Sequence, residues 1–263
     1  MNYLITFCTL VLLSFTTCQA ETEFKLQNSN EEQNYVELSA KLLQSIIDNK
    51  PTTEIEKKLQ SVSVDFLSNQ LKTDIEKKVF WINIYNSYIQ LLLSKEPSLY
   101  ENRGAFFKEE IIVIAGKALS FDNIEHGIIR SSKIKLSLGL LRNPFVGNYE
   151  KTFRTKVIDE RIHFALNCGA KSCPLVAVYE VNGFDQKIDA VAKNFLDKTT
   201  TYKSEEDAVY ITSLFSWFRG DFGGMNGVIK FLKKYNQIPN KSNPNINFTT
   251  YDWTLSLGNY YDE

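Results

Sequence analysis

The sequence is poor in histidine and cysteine. Its 263 residues include two histidines and four cysteines, and two of these cysteines lie within the first twenty residues. The G-x-S-x-G, Walker, G-x-G-x-x-G and H-E-x-x-H motifs are missing, so the common signatures of hydrolases, nucleotide-binding proteins and zincins are excluded. Acidic and basic residues nearly balance, 31 against 30, and no basic stripe stands out. Nucleic-acid binding is therefore not expected.

The N-terminus lacks charged side chains. The first twenty residues contain none, and Leu4 to Phe15 is almost wholly apolar. A run of about a dozen apolar residues is short for a membrane span and fits a secretory signal. We therefore predict a signal peptide over residues 1–18 and a polar tether over 19–34. Cleavage before Cys18 would give a lipoprotein in the periplasm or on the outer membrane, which we favour; cleavage after Ala20 would give a secreted protein.

The remaining residues, 35–263, predict a single α+β domain in which N-terminal helices pack with a small, mostly antiparallel sheet. Apolar residues make up 43% of the chain, enough for a sizeable core. Helical periodicity or capping signals predict seven helices. They span residues 35–47, 53–62, 74–95 behind a Thr73–Glu76 capping box, 123–132 after Asp122, 183–196, 214–224 and 224–235. Strand patterns predict a hairpin over 111–121 and strands over 161–166, 208–213 and 246–255. Residues 132–160 are expected to be mostly loop.

The segment RIHFALNCGAKSCP, residues 161–174, holds His163, Cys168 and Cys173. The C-x4-C spacing fits neither a thioredoxin motif nor a zinc knuckle, although Gly169 gives the loop freedom to form a disulfide. A zinc site that combined both cysteines with both histidines matches no common zinc module. We expect no metal and no cofactor.

A thiolate nucleophile at Cys168 would need a base. If residues 163–168 are extended, the two Cα atoms lie up to about 16 Å apart, too far for direct contact. His126 is therefore as good a partner as His163. Arg130 lies four residues after His126 and favours its neutral form. Arg130 could bind a substrate carboxylate or pair with a structural one.

Two further patterns could belong to a site. Asn83, Asn86, Ser87 and Gln90 form a polar stripe on the otherwise apolar helix 74–95, where they could hold a loop or orient an imidazole. In SWFRGDFGG, residues 216–224, Asp221 could orient a histidine, and Trp217 and Phe218 could line a pocket. The alternative for this segment is a helix end with a glycine cap.

Four ordered segments resemble the DUF547 family, a domain of unknown function: FWINIYNSYIQLLL, ALSFDNIEHGIIR, RIHFALNCGAKSCP and SWFRGDFG. The resemblance extends from about residue 70 to 235. The family pattern includes Trp81, Tyr85-Asn86, Glu125-His126-Gly127, Arg130, His163, Ala165 to Gly169, Ser172 and Pro174. Many members carry serine at position 173 and so cannot form a 168–173 disulfide. The resemblance therefore implies that such a disulfide is not the shared role of Cys168 in the family. The resemblance names no reaction.

We hypothesise an exported, thiol-dependent hydrolase or transferase that acts on peptide, amide or ester bonds in the cell envelope. Cys168 would be the nucleophile, His126 or His163 the base, and Asn86 or Asp221 the orienting group. A small peptide or another carboxylate-bearing substrate would contact Arg130, Asn83, Glu125, Asn167, Gly169 and Trp217. The alternatives are a non-catalytic envelope binding module and a structural lipoprotein domain with a Cys168–Cys173 disulfide. Membrane contact is expected only through lipid on Cys18.

Overall fold

The structure, a computed structural model, describes residues 33–262. The predicted signal peptide and nearly all of the tether lie outside this range. No helix within residues 33–262 is long and apolar enough to cross a lipid bilayer.

The N-terminal helices are built around one long, buried helix. They are α1 (Tyr35–Ile47), α2 (Thr53–Ser61), α3 (Val64–Gln70) and α4 (Asp74–Lys95). At the start of α4, the Thr73 hydroxyl accepts from the Glu76 N–H, and the Glu76 carboxylate accepts from the Thr73 N–H, as the capping box predicts. α4 is apolar on almost every side, and α1 packs along it. This central position makes α4 the platform for the segments described below.

Two small sheets complete the α+β fold, which confirms the predicted class. β1 (Ile112–Ile114) and β2 (Lys117–Leu119) form the predicted hairpin, whose two turn residues have positive φ. In the second sheet, β4 (Ala208–Thr212) lies between β3 (Thr201–Lys203), which is antiparallel to it, and β5 (Asn245–Thr249), which is parallel. β5 ends six residues before the predicted strand does, because the chain turns away at Thr249.

The predicted strand over 161–166 is wrong. Glu160–Phe164 is a 3₁₀ helix, and the Asp159 side chain accepts from the Arg161 N–H at its start. The apolar alternation is misleading here because residues on both of its faces, Phe164 and His163 among them, are buried. A short segment that is buried all round carries no periodicity that separates strand from helix.

The predicted helix after Asp122 has a different form and a different cap. Asn123–Ile129 is a π-helix, and Asp122 makes no capping hydrogen bond. Instead, the Ser120 hydroxyl accepts from the Asn123 N–H at 3.0 Å, and the Asn123 side chain accepts from the Ser120 N–H at 3.0 Å. The π geometry matters because its wider turn brings Arg130 back over His126.

The other elements are short or lie further along the chain. The loop-rich region 132–160 contains a 3₁₀ turn at Lys135–Ser137 and helix α6 (Asn148–Phe153). The remaining helices are α5 (Arg103–Phe106), α7 (Phe184–Thr199), α8 (Leu214–Trp217) and α9 (Met225–Lys234), with 3₁₀ turns at Pro97–Asn102 and Ser204–Glu206.

Candidate functional site

The polar stripe of α4 binds the backbone of segments that cross it. The Asn86 amide donates to the Ala165 carbonyl at 2.8 Å and accepts from the Asn167 N–H at 2.9 Å. Asn83 makes the same pair of bonds with the backbone of Tyr179, at 2.8 and 3.0 Å. Neither amide is hydrogen-bonded to an imidazole within residues 33–262. Their contribution is to fix where the thiol-bearing loop begins.

Asn167 then closes the C-x4-C loop. Its side-chain oxygen accepts from the Gly169 N–H at 2.8 Å, and its NH₂ group donates to the Pro174 carbonyl at 2.7 Å. Gly169 has φ +85°, and a Cβ there would lie 3.0 Å from the Leu93 side chain, so this turn needs glycine. The Gly169 N–H is already bonded, so it is not available to stabilise an oxyanion. The closed loop brings the two sulfurs together.

Residues 251–256, which we call the C-terminal segment, pair with the backbone of this loop. The Lys171 N–H donates to the Thr254 carbonyl at 2.8 Å, and the Ser256 N–H donates to the Gly169 carbonyl at 2.8 Å. This pairing sets the Tyr251 hydroxyl beside the thiols. Tyr251 is therefore a site residue although it lies 83 positions after Cys168.

The two thiols are in direct contact and are not equivalent. Their Sγ atoms are 2.6 Å apart, and neither is in a disulfide. Cys173 Sγ also accepts from the Cys168 N–H at 3.1 Å and from the Tyr251 hydroxyl at 3.2 Å. Cys168 Sγ has a weaker second contact, to the Tyr251 hydroxyl at 3.9 Å. Hydrogen-bond donors therefore converge on Cys173.

This asymmetry separates the two pKa values. Burial opposes the charge on Cys173, but the Cys168 thiol, the Tyr251 hydroxyl and the N–H groups of Cys168 and Ala170 outweigh it and lower the pKa of Cys173. The hydrogen bond to Cys173, followed by burial, raises the pKa of Cys168 well above its usual value. Of the two thiols, Cys173 is therefore the one that loses its proton more readily.

A second cluster, the charged cluster, consists of His126, Arg130, His163 and Asp221. Arg130 Nε donates to Asp221 Oδ2 at 2.6 Å, and both side chains are completely buried. His163 Nε2 lies 2.9 Å from the same carboxylate oxygen, so Asp221 contacts a histidine as the sequence suggested. Arg130 Nη1 lies 2.7 Å from His126 Nδ1. Since a guanidinium can only donate, that nitrogen carries no proton and His126 is neutral.

The electrostatics keep both imidazoles neutral at pH 7. Burial, and then the Arg130 charge, lower the pKa of His126 to about 3. Burial also lowers the pKa of His163, although the Asp221 carboxylate opposes this shift. Burial raises the pKa of Asp221, but its bonds to His163 and Arg130 outweigh burial and leave it below the usual value. Arg130 thus serves a structural carboxylate, and its buried Nη2 has no partner within residues 33–262.

Two sets of side chains contact the charged cluster. On one side, Glu125 lies 3.5 Å from His126 Nδ1, and the Tyr85 hydroxyl donates to Glu125 at 3.4 Å. On the other side, the Phe218 ring stacks on His163 at 4.0 Å. Its neighbour Trp217 packs against Tyr251 at 5.0 Å. The two clusters are therefore parts of one region of the molecule.

No hydrogen bond joins either thiol to an imidazole in the described part of the chain. Each histidine is bound instead within the charged cluster, so a Cys–His pair is not formed in this structure. No group of three or more His, Cys, Asp or Glu residues is arranged to hold a metal ion between residues 33 and 262.

Sequence reasoning missed the contribution of Tyr251, the stacking of Phe218 on His163 and the lowered pKa of Cys173. No local motif marks Tyr251, because pairing between the C-terminal segment and residues 169–172 brings it to the site. Phe218 lies within SWFRGDFGG, but its stacking on His163 depends on the tertiary fold.

Residues 68–196 match the family model described as "Protein of unknown function, DUF547". The matched range contains Asn86, His126, Arg130, His163 and both thiols. Asp221, Trp217 and Tyr251 lie beyond it. No curated protein and no solved structure matches the chain. The description of the family assigns no reaction, so the chemistry must be argued from the contacts themselves.

The lowered histidine pKa values predict a loss of stability in mild acid. In the unfolded chain a histidine binds a proton below about pH 6.5, whereas folded His126 stays neutral until about pH 3. Lowering the pH from 8 to 5 should therefore reduce the free energy of unfolding by about 2 kcal/mol through His126 alone. The His126→Gln variant should lose this part of the pH dependence. Urea unfolding of both proteins at pH 8 and pH 5 measures it, and equal pH dependence would contradict the assignment.

Proposed function

We propose that the DUF547 domain over residues 68–196, completed by the C-terminal segment, is a thiol-dependent hydrolase or transferase acting on peptide, amide or ester bonds. One observation carries the proposal: hydrogen-bond donors converge on a single sulfur, Cys173 Sγ. Thiolates, not thiols, are the reactive form of cysteine, and donors that surround a sulfur favour the thiolate.

The proposal assigns the two cysteines different roles from those that the sequence suggested. Cys173 supplies the nucleophile, because its sulfur accepts from the Cys168 and Tyr251 side chains. Cys168 holds the proton of the pair, 2.6 Å from the nucleophile. A proton at this distance can be passed to a leaving group without help from either imidazole.

The chemistry balances with these two thiols and one water molecule. Cys173 Sγ bonds to the substrate carbonyl carbon, and the carbonyl oxygen takes the negative charge. The Cys168 N–H and the Tyr251 hydroxyl donate to the sulfur before attack. As the sulfur gives up its charge to the carbonyl oxygen, these two donors can turn to that oxygen. As the carbonyl re-forms, the amine or alcohol departs with the proton of Cys168. Water then attacks the thioester, gives a proton to Cys168, and releases the acid and the Cys173 thiolate. In a transferase, an amine or alcohol replaces the water.

The aromatic side chains next to the thiols favour an organic substrate. Trp217 and Trp253 are half-buried and stacked at 5.5 Å, and Trp217 also packs against Tyr251. These rings offer a partly exposed apolar wall beside Cys173. A peptide or ester with an apolar group next to the reacting carbonyl would fit this wall.

The Cys173 thiolate predicts a pattern of alkylation under reducing conditions. Below pH 8, iodoacetamide should label Cys173 before Cys168, as mapped by mass spectrometry. Tyr251→Phe should slow this labelling several-fold because one donor to the thiolate is lost. Tyr210→Phe, which changes a half-buried tyrosine bonded to Glu206, is the matched control and should have no effect.

Catalysis is tested with p-nitrophenyl acetate as an ester probe. The wild type should release p-nitrophenolate and carry an acetyl group on Cys173, and Cys173→Ala should do neither. A low, pH-independent labelling rate together with no acetyl adduct would contradict the proposal and favour the non-catalytic binding module.

The sulfur contact of 2.6 Å also favours a second candidate, thiol–disulfide exchange. The Cys173 thiolate would attack a substrate disulfide and expel one thiolate. Once Cys173 carries no charge, the pKa of Cys168 would fall. Cys168 would then give its proton to the expelled thiolate and attack the Cys173 sulfur, which releases the second substrate thiolate. The products are a Cys168–Cys173 disulfide and a substrate reduced by two electrons.

Thiol–disulfide exchange predicts that Cys168 and Cys173 form a disulfide reversibly. Incubation with oxidised glutathione should protect both cysteines from alkylation, and dithiothreitol should restore both, while Cys168→Ser should instead retain glutathione on Cys173. Peptide mapping by mass spectrometry reads out each sulfur. If Cys168 and Cys173 stay free in oxidised glutathione, the exchange candidate is wrong and acyl transfer is unaffected.

We also propose that the protein is exported to the cell envelope, which rests on the uncharged, apolar first twenty residues. In a bacterial host, radiolabelled palmitate should be incorporated into the wild type. Cys18→Ser should lose the label and leave the membrane fraction. An unlabelled protein in the medium would indicate ordinary cleavage near Ala20, and a full-length protein retained in the cytoplasm would contradict export.

A further inference from the structure

Exposed apolar side chains are concentrated in one part of the described chain. Six of the nine large hydrophobic residues that are exposed within residues 33–262 lie between positions 134 and 157: Ile134, Leu136, Leu140, Leu141, Phe145 and Val157. Leu136 is 92% exposed and Phe145 is 91% exposed. Side chains this exposed protrude from the surface, and a cluster of them usually marks an interaction site.

Five of the six lie on one loop, residues 133–146, which we call the apolar loop. Its two arms pair through the Ile134 N–H and the Leu141 carbonyl at 3.0 Å, and through a bridge between Lys133 and Arg142. At the tip, the Ser137 hydroxyl donates to the Ile134 carbonyl at 2.7 Å and accepts from the Leu141 N–H at 3.0 Å. The loop therefore satisfies part of the hydrogen bonding of its own backbone, which reduces the free-energy cost of entering an apolar medium.

The apolar loop and its immediate flanks carry positive charge only. Residues 131–147 contain Lys133, Lys135 and Arg142 and no acidic residue. Lys135 pairs with Asp122 at 2.8 Å, whereas Lys133 and Arg142 have no carboxylate partner between residues 33 and 262. Arg142 also donates to the Lys156 carbonyl at 3.4 Å, which sets exposed Val157 and Lys156 beside the loop.

We propose that the apolar loop docks onto an anionic lipid membrane, with Leu136 and Phe145 entering the interface and the basic side chains meeting lipid headgroups. Protruding apolar tips flanked by basic residues match the two forces that bind proteins to such a surface, apolar burial and attraction to anionic lipid. This contact is separate from any lipid on Cys18, and it does not rest on the thiol chemistry.

Docking would set the charged cluster directly behind the membrane surface. The Gly220 N–H donates to the Leu138 carbonyl at 2.8 Å. A Cβ on Gly139 would lie 2.4 Å from Asp221 Oδ1, so the loop packs tightly on the buried ion pair. The candidate site therefore faces lipid on the side of this loop.

Hydrogen exchange of the full chain tests the proposal, because it reports on the loop even where the N-terminus also binds lipid. The vesicles are an equal mixture of phosphatidylglycerol and phosphatidylcholine, compared with phosphatidylcholine alone. On the anionic vesicles, amides of residues 135–146 should exchange about tenfold more slowly, and on the neutral vesicles they should not change. The double variant Leu136→Ser, Phe145→Ser should lose this protection. Val181→Ser, at an exposed apolar residue outside the loop, should retain it.

Three outcomes would overturn the proposal. The first is a loop that exchanges equally fast with and without anionic vesicles. The second is protection that persists in the Leu136→Ser, Phe145→Ser variant. The third is protection without lipid that appears with dimer formation in light scattering, which would make a second copy of the chain the occupant.

Discussion

The buried ion pair between Arg130 and Asp221 is the interaction on which the arrangement of the site depends. It joins the end of the π-helix to the turn after α8, 91 positions further along the chain. A buried charge whose partner is removed costs about 3–5 kcal/mol, so neither residue tolerates loss of the other. The two histidines add one bond each to the pair, His163 on the carboxylate and His126 on the guanidinium, while Arg130 Nη2 and Asp221 Oδ1 have no partner within residues 33–262. Charge compensation thus joins the π-helix, the 3₁₀ helix that carries His163 and the turn after α8.

Uncharged amides position the thiols through hydrogen bonds to buried backbone groups. Asn86 projects from the buried face of α4 and takes both a carbonyl and an N–H from residues 165–167, and Asn167 then spans the cysteine loop. Each amide satisfies backbone groups that burial would otherwise leave unpaired, and so each fixes the path of a segment that has no regular ladder. These bonds anchor the cysteine loop to α4.

The result is a site with two chemically distinct halves. In one half, two neutral imidazoles each bond to a charged pair through one ring nitrogen. In the other half, two thiols lie in contact beside a tyrosine hydroxyl, and the pKa is lower for the sulfur that receives more donors. A thiol that carries its own proton donor does not require a histidine, which is why the proposed chemistry is centred on the cysteines. The histidines then act as structural parts of the wall behind them.

The sequence by itself determined the parts that depend on local interactions. These are the α+β class, helices α1 and α4 with the capping box, and the β1–β2 hairpin. The 3₁₀ helix at Glu160–Phe164 was not predictable, because a segment buried on all sides shows no periodicity. Only the tertiary structure decided that His163 binds Asp221 rather than a thiol, and that Cys173 has the lower pKa of the two thiols. The donors that decide this come from segments far apart in sequence, and a pKa depends on which of them fold against the sulfur.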